Sequence, residues 1–288
     1  MDLLRYLDET TNRALHARRA FLSHSIREQC DSIVQYGILK GFRVPTCRWA
    51  EIVSSAYILG TYEVQVCAIL DTLRGPRKVL VDLGGADGVF GVGLVEVGAF
   101  DCSIIFEMRE ELRQSLVHLA QSRGLAEKVA VFGEATHDFV SLIEARGIAP
   151  RDCVILCDIE GAEFDLFDDA TLATLQGANI IIELHDFLLS DPARCGTAIA
   201  DLKRAAERYF DVIEIKDGLR DIRDIPLLRN LSDWDSWLLC VEARYRMMSW
   251  LWLRPRGSPA LSPAALDALV IDYQRRIFTG NESCLRPS

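Results

Sequence analysis

The chain reads as an α/β protein built on one doubly wound, seven-stranded sheet whose last strand runs antiparallel, with a helical N-terminal cap. Three observations predict this. From Lys78 onward, short apolar runs alternate with segments of helical periodicity. The runs are apolar on both parities, as strands are when helices cover both sheet faces. The last two candidate strands have no clear helix between them, so the closing strand should return antiparallel to its neighbour.

The elements follow in order. Lys78–Leu83 (KVLVDL) reads as the first strand, followed by a glycine-rich turn and a helix around Val89–Val97. Cys102–Met108 is the second strand, and Glu110–Arg123 places Leu112, Leu116 and Leu119 at helical spacing. Val129–Phe132 is the third, with a helix near Asp138–Ala145. Cys153–Ile159 is the fourth, with a helix from about Ala162 to Leu175. Asn179–Leu184 is the fifth, followed by the helix Ala198–Tyr209. Phe210–Ile215 and Trp237–Glu242 complete the set, separated by Asp217–Asp233 with Pro226 inside it. Residues 1–77 form the cap: Leu3–Tyr36 is mainly helical, with Leu15, Leu22, Ile26 and Ile33 as candidate buried positions. Gly37–Pro45 reads as a strand pair or turn, and Trp49–Leu73 as helix. The expected boundaries are 1–77 for the cap, 78–254 for the α/β domain and 255–288 for a tail. The tail carries one helix over Pro263–Ile277, with Ser262 as its N-cap.

Composition narrows the function. The 288 residues carry a formal net charge of −10, which repels polyanions, and no dense Lys/Arg cluster offsets it. A nucleic-acid partner is therefore not expected. No uncharged run approaches the length needed to span a bilayer, and Met1–Leu7 lacks a secretory pattern. Nine cysteines without a CxxC pair read as small hydrophobes of a reduced, cytoplasmic protein. The aromatic residues Trp234, Trp237, Trp250 and Trp252 read as core or interface packing. Oligomeric state, the role of the cap and the role of Asn281–Ser288 have no signature in the sequence.

The candidate site residues fall at strand ends. Asp82, Gly84, Gly85, Ala86, Asp87 and Gly88 form a turn between the first strand and its helix. Gly84 and Gly88 can take dihedrals closed to other residues and let backbone approach a ligand. Asp82 is placed to hold an ammonium group or to orient the turn. The dinucleotide spacing GxGxxG is not met, since positions 84, 86 and 89 are Gly, Ala and Val. Glu107 ends the second strand about twenty residues on, where a carboxylate can accept both hydroxyls of a ribose. Glu134 and Ala135 follow the third strand. Asp158 and Glu160 close the fourth strand, and Glu183 and His185 the fifth, each pair on one strand parity.

The segments Asp82–Gly88 (DLGGADG), Asp158–Glu163 (DIEGAE) and Ile182–Asp186 (IELHD) resemble those of the FkbM family of class I methyltransferases. Gly60-Thr61-Tyr62-Glu63 resembles a Gly-x-Tyr-Glu element that precedes the cofactor domain in some members. The likeness covers roughly Gly37 to Val241. It implies a Rossmann-like fold and S-adenosyl-L-methionine as cofactor. It also implies methyl transfer, usually to an oxygen of a small molecule, sugar or lipid, without fixing the acceptor. Periodicity alone equally allows a nicotinamide-dependent oxidoreductase, and a catalytically idle binding protein on the same fold is a third reading. No Asn/Asp-Pro-Pro-Tyr motif follows the fourth strand, which argues against methylation of nucleic-acid base amines. In the leading reading His185 is the general base, Asp158 and Glu160 assist it, and Tyr62, Glu63 and Glu183 face the substrate or close over it. Asp158, Glu160, Glu183 and His185 could also ligate a divalent metal, but no spacing among them is diagnostic of a ligand set, so the metal-free version is expected.

Overall fold

A computed structural model describes residues 3–46, 54–218, 220–242, 244 and 246–279. The chain divides into two compact units. The first joins Met1–Ile69, Gly218–Tyr245 and Pro263–Ser288, and the second joins Leu70–Asp217 to Arg246–Ser262.

The helices, in chain order, are α1 (Leu3–Gln29), α2 (Val64–Leu73), α3 (Gly93–Glu96), α4 (Glu110–Ser122), α5 (Phe139–Glu144), α6 (Glu163–Leu166), α7 (Asp169–Thr174), α8 (Pro192–Cys195), α9 (Ala198–Ala206), α10 (Asp233–Cys240) and α11 (Pro263–Thr279). Residues 54–58 are also helical. The strands are β1 (Val79–Leu83), β2 (Cys102–Phe106), β3 (Val129–Phe132), β4 (Cys153–Cys157), β5 (Asn179–Glu183), β6 (Phe210–Lys216) and β7 (Ser249–Pro255).

The second unit is the sheet domain, with strand order β3-β2-β1-β4-β5-β7-β6. Strands β1 to β5 pair in parallel, and β7 runs antiparallel to both β5 and β6. Val81 lies opposite Ile104 on one side and Ile155 on the other, so the β1, β2 and β4 ends come level. Alternate residues of the strands build one core. Val79, Val81 and Leu83 of β1, Ile155 of β4 and Ile180 and Ile182 of β5 pack with Phe139 and Ile143 of α5 and Leu202 of α9. The other parity is buried as well, including Leu80, Ile105, Val154 and Ile181. Chain connection reverses between β1 and β4, and the carboxyl ends of those two strands are where open α/β sheets take ligands.

The seventh strand is not the segment expected from the sequence. Trp237–Glu242 had the apolar run, but Asp233–Cys240 forms α10, whose N-cap Ser232 side chain accepts from the Asp235 N–H. Asp233 and Asp235 in its first turn suit the positive end of the helix dipole. The antiparallel strand is Ser249–Pro255. Trp250 and Trp252 are buried there, with Trp252 donating to the Asn179 side chain at 3.1 Å, whereas Trp234 and Trp237 of α10 are exposed. A short apolar run carries no period of its own, so the choice belongs to strand pairing. The helix expected over Ala162–Leu175 is two, α6 and α7, because Asp168 starts a new helix by accepting from the Thr171 N–H.

Among its described residues the regular structure of the first unit is helical, apart from an isolated bridge between Ile33 and Arg43. Leu22 and Ile26 of α1 are buried as expected, while Leu15 is exposed. Arg18 of α1 pairs with Asp235 of α10 at 2.7 Å, and the Ser55 hydroxyl donates to the Leu239 carbonyl. Of the expected helix Trp49–Leu73, residues 49–53 lie outside the described residues, as do Asn281–Ser288, Cys47 and Cys284. The other seven cysteines are free thiols. No helix among the described residues is long and apolar enough to cross a membrane.

Candidate active site

Residues 84–88 leave β1 as a tight turn whose conformation depends on glycine. The Gly84 and Gly85 amides both donate to the Phe106 carbonyl of β2, at 2.8 and 3.0 Å. Gly84 has φ +96°, and a Cβ there would lie 1.9 Å from the Asp158 carbonyl oxygen. The end of β4 therefore runs directly against the turn, and no side chain fits between them. Ala86 also has positive φ, at +42°.

Glu107, the residue after β2, is 5% exposed and ties this turn to the second strand. Its carboxylate accepts from the Ala86 amide at 3.0 Å and from the Arg109 amide at 2.9 Å. Each carboxylate oxygen has further lone-pair capacity, and Oε1 also faces the Arg109 Nε at 3.4 Å. The sequence placed Glu107 and the turn separately; the fold joins them by a hydrogen bond.

Asp82 is buried on the face of β1 opposite the core. Burial pushes its carboxyl from 3.8 up to about 7, and the neighbouring Asp158 carboxylate adds to the rise, against a hydrogen bond from the Gly91 amide. A carboxylate so placed gains from any cation brought to it.

At the ends of β4 and β5 three donors converge. The His185 Nε2 lies 3.6 Å from Asp158 Oδ1 and 3.9 Å from Glu183 Oε2. One donor atom from each of these residues falls within 4.8 Å of the others, a set able to hold a metal ion. His185 is 6% exposed, Glu183 is buried, and Asp158 is open to solvent. Burial opposes the imidazolium, but Glu163, Asp158 and Glu160 outweigh it and the His185 pKa is raised.

Glu163 carried no role in the sequence reading, yet it organises this corner. It is fully buried and accepts from the Gly161 amide with one oxygen and from the His185 amide with the other, each at 2.7 Å. It thereby locks the left-handed turn Glu160-Gly161 (φ +51° and +108°) to the end of β5. The signal was present as the last residue of DIEGAE, but only the fold shows which amides it meets.

Other expected residues stand apart. The strand β4 ends at Cys157, so strand parity does not extend to Glu160, which is exposed on that left-handed turn. Glu160 adds to the field on His185 without joining the three converging donors. Asp87 caps the Val89 amide at 3.3 Å. Glu134 is exposed past β3, while Ala135 packs against the core. Tyr62 and Glu63 belong to the first unit. Tyr62 rests on Tyr57, with ring centroids 4.2 Å apart. Glu63 is buried in an ion network in which Arg244 pairs with both Glu63 (2.6 Å) and Glu242 (2.5 Å), and Arg220 also pairs with Glu242.

No protein-family model matches the chain, and no curated protein matches it by sequence. Solved structures do resemble it. An O-methyltransferase from Bacillus cereus, in complex with SAH, is 14% identical over 73% of this chain and 93% of its own, with a TM-score of 0.47. The O-methyltransferase TomG from Streptomyces achromogenes, in complex with SAM, is 11% identical over 82% and 89%, with a TM-score of 0.46. Streptococcus pneumoniae Sp1610, named for tRNA (m1A22) methylation, is 17% identical over 69% and 72%, with a TM-score of 0.42. The fold assignment rests on this chain's own strand order. Five parallel strands, with β7 inserted antiparallel between β5 and β6, make the second unit a Rossmann-like domain with the class I S-adenosylmethionine-dependent methyltransferase fold.

Proposed function

We propose that this chain is a cytoplasmic, FkbM-like enzyme that transfers a methyl group from S-adenosylmethionine to a hydroxyl oxygen of a small molecule, sugar or lipid. The observation that carries the reading is the side-chain-free turn at Gly84–Gly88, held by Glu107 and lying against Asp158 at the point where the chain connection reverses. The residues fit the cofactor. Asp82 is a buried carboxyl, raised by burial and by the neighbouring Asp158 charge, and suits the ammonium group. Glu107 suits the ribose hydroxyls, and Glu134 with Ala135 the adenine edge.

The cofactor supplies an activated methyl on a sulfonium, so the protein's work is alignment and proton removal. Asp158, Glu183 and His185 meet the acceptor hydroxyl, and the His185 imidazole takes its proton as the methyl group is transferred.

Calorimetry with S-adenosylmethionine, SAH and NAD tests the reading. Binding of the first two and not of NAD is expected; binding of NAD alone, or of none, overturns it. Glu107→Ala is expected to weaken S-adenosylmethionine binding by about 1.5–3 kcal/mol, the range for hydrogen bonds to a charged group. Unchanged affinity in that variant removes Glu107 from the site.

A further inference from the structure

We infer that the outer faces of α1 and α10 form a self-association surface whose occupant is a second copy of this chain. Both helices belong to the first unit. Arg18 pairs with Asp235 at 2.7 Å, and the Arg19 side chain donates to the Val241 carbonyl at 2.6 Å, so α10 lies alongside α1. Each helix buries one side. On α1 that side carries Leu22 and Ile26, and on α10 it carries Ser236, Leu239 and Cys240. The sides turned away carry large apolar groups. Phe21 is 64% exposed, Trp234 73% and Trp237 41%, with Leu7 and Leu15 open further along α1.

This is more apolar surface than a monomer ordinarily leaves in water. Aromatic side chains bring about 150–250 Å² each, so with the two leucines the face presents roughly 500 Å² per chain. Two copies pressed together would remove about 1,000 Å², enough for a specific interface. Residues 7–18 of α1 are all exposed, more than three turns of helix that gain little from packing within the chain. Helical stretches of that length without a partner are marginal in water.

A second copy fits because the face is self-complementary. Ala14 and Ala17 are exposed on α1 and share helical spacing with Phe21, which leaves a hollow beside a large residue. The bulk that suits the hollow is on α10, as Trp234. In a two-fold contact α1 of each copy meets α10 of the other, so each Trp234 is received by the Ala14–Ala17 turn of the second copy. The same placement brings Arg13, next to Ala14, toward Asp233, next to Trp234, with opposite charges across the contact. Within α1, Arg13 reaches Glu9 only at 3.9 Å and stays 83% exposed. The net charge of −10 opposes association at long range, so this local pairing fixes the register. Association does not depend on the methyl-transfer reading.

Sedimentation velocity of the full chain, taken up to high micromolar concentration, is the test. A dimer is expected. Trp234→Ala should weaken it about 30-fold, as loss of a central aromatic anchor does. Ala14→Glu should leave monomer, because it sets a carboxylate against Trp234 and Asp233 of the second copy. Met247→Ala removes an exposed apolar side chain of the other unit and should leave the dimer intact. All three positions are exposed, so the variants keep the helical content of the parent, which circular dichroism verifies. A parent that stays monomeric leaves the face to a partner of another kind and overturns the inference. A dimer that survives both Trp234→Ala and Ala14→Glu overturns it too, because it is then built on another face.

Discussion

Glu163→Ala is expected to destabilise the sheet domain by about 3–5 kcal/mol, from the loss of two charge-assisted hydrogen bonds. The cause is local and complete. Its two oxygens accept the Gly161 and His185 amides at 2.7 Å, and the side chain is fully buried. Alanine leaves both amides without an acceptor where water does not reach, so each pays its desolvation cost. Glu163→Gln keeps one acceptor oxygen and presents an NH₂ to the other amide, so an intermediate loss is expected. Urea denaturation of the three proteins measures this directly. A loss below about 1 kcal/mol for the alanine variant, no more than an ordinary neutral hydrogen bond, would mean that the carboxylate does not hold the corner. Turnover should fall further than stability, because the His185 backbone is fixed by the same bond.

Asp82→Asn is expected to act in opposite directions on stability and on binding. The folded protein holds the Asp82 proton up to about pH 7, whereas an unstrained carboxyl releases it near 3.8. The folded pKa is raised, so the folded state binds more protons between those values. Stability contributed at this position therefore falls as pH rises from about 4 to 7, and the cost is constant above that. Roughly three pKa units correspond to a cost on the order of 4 kcal/mol at pH 8. Asparagine stays neutral and can still accept the Gly91 amide. The variant should melt higher than the parent at pH 8 and nearly level with it at pH 4. It should also lose S-adenosylmethionine affinity, since an amide does not balance the ammonium charge. Parental affinity should fall about tenfold for each pH unit below 7, because ionised Asp82 is the form that binds. Thermal unfolding at the two pH values, with calorimetry on both proteins, checks each half. Equal melting at pH 8 would show that Asp82 carries no strain in the free protein.

These two positions differ in how readable they were. Asp82 could be found from one stretch of sequence, because a buried strand running into glycines fixes both its address and its exposure to a ligand. Glu163 looked like an ordinary acidic residue at the start of a helix. Its partners lie two and twenty-two residues away, and the distant one is met only when β4 and β5 pair. Glu107 falls between the cases. Its spacing from the glycine turn marked it, but its bond to the Ala86 amide follows from the β1–β2 pairing.

The sequence by itself determined the features that depend on near neighbours. Apolar runs on both parities set the five parallel strands, and Gly84 and Gly88 set the turn, because each constraint is a property of one short segment. Strand-end position was enough to bring Asp158, Glu183 and His185 forward as a group. Tertiary structure alone decided which late segment became β7, since two apolar runs competed for one place beside β5. Trp237–Glu242 lost because Ser232 and the acidic first turn stabilise α10, while Ser249–Pro255 pairs along its whole length with β6 and over Trp250–Leu253 with β5. Tertiary structure also separated Glu160 from the cluster, because the backbone turns left-handed after β4 and ends the alternation on which parity depends. Hydrogen bonds and contacts between distant segments have no local pattern, and that is why these outcomes appear only when the sheet is assembled.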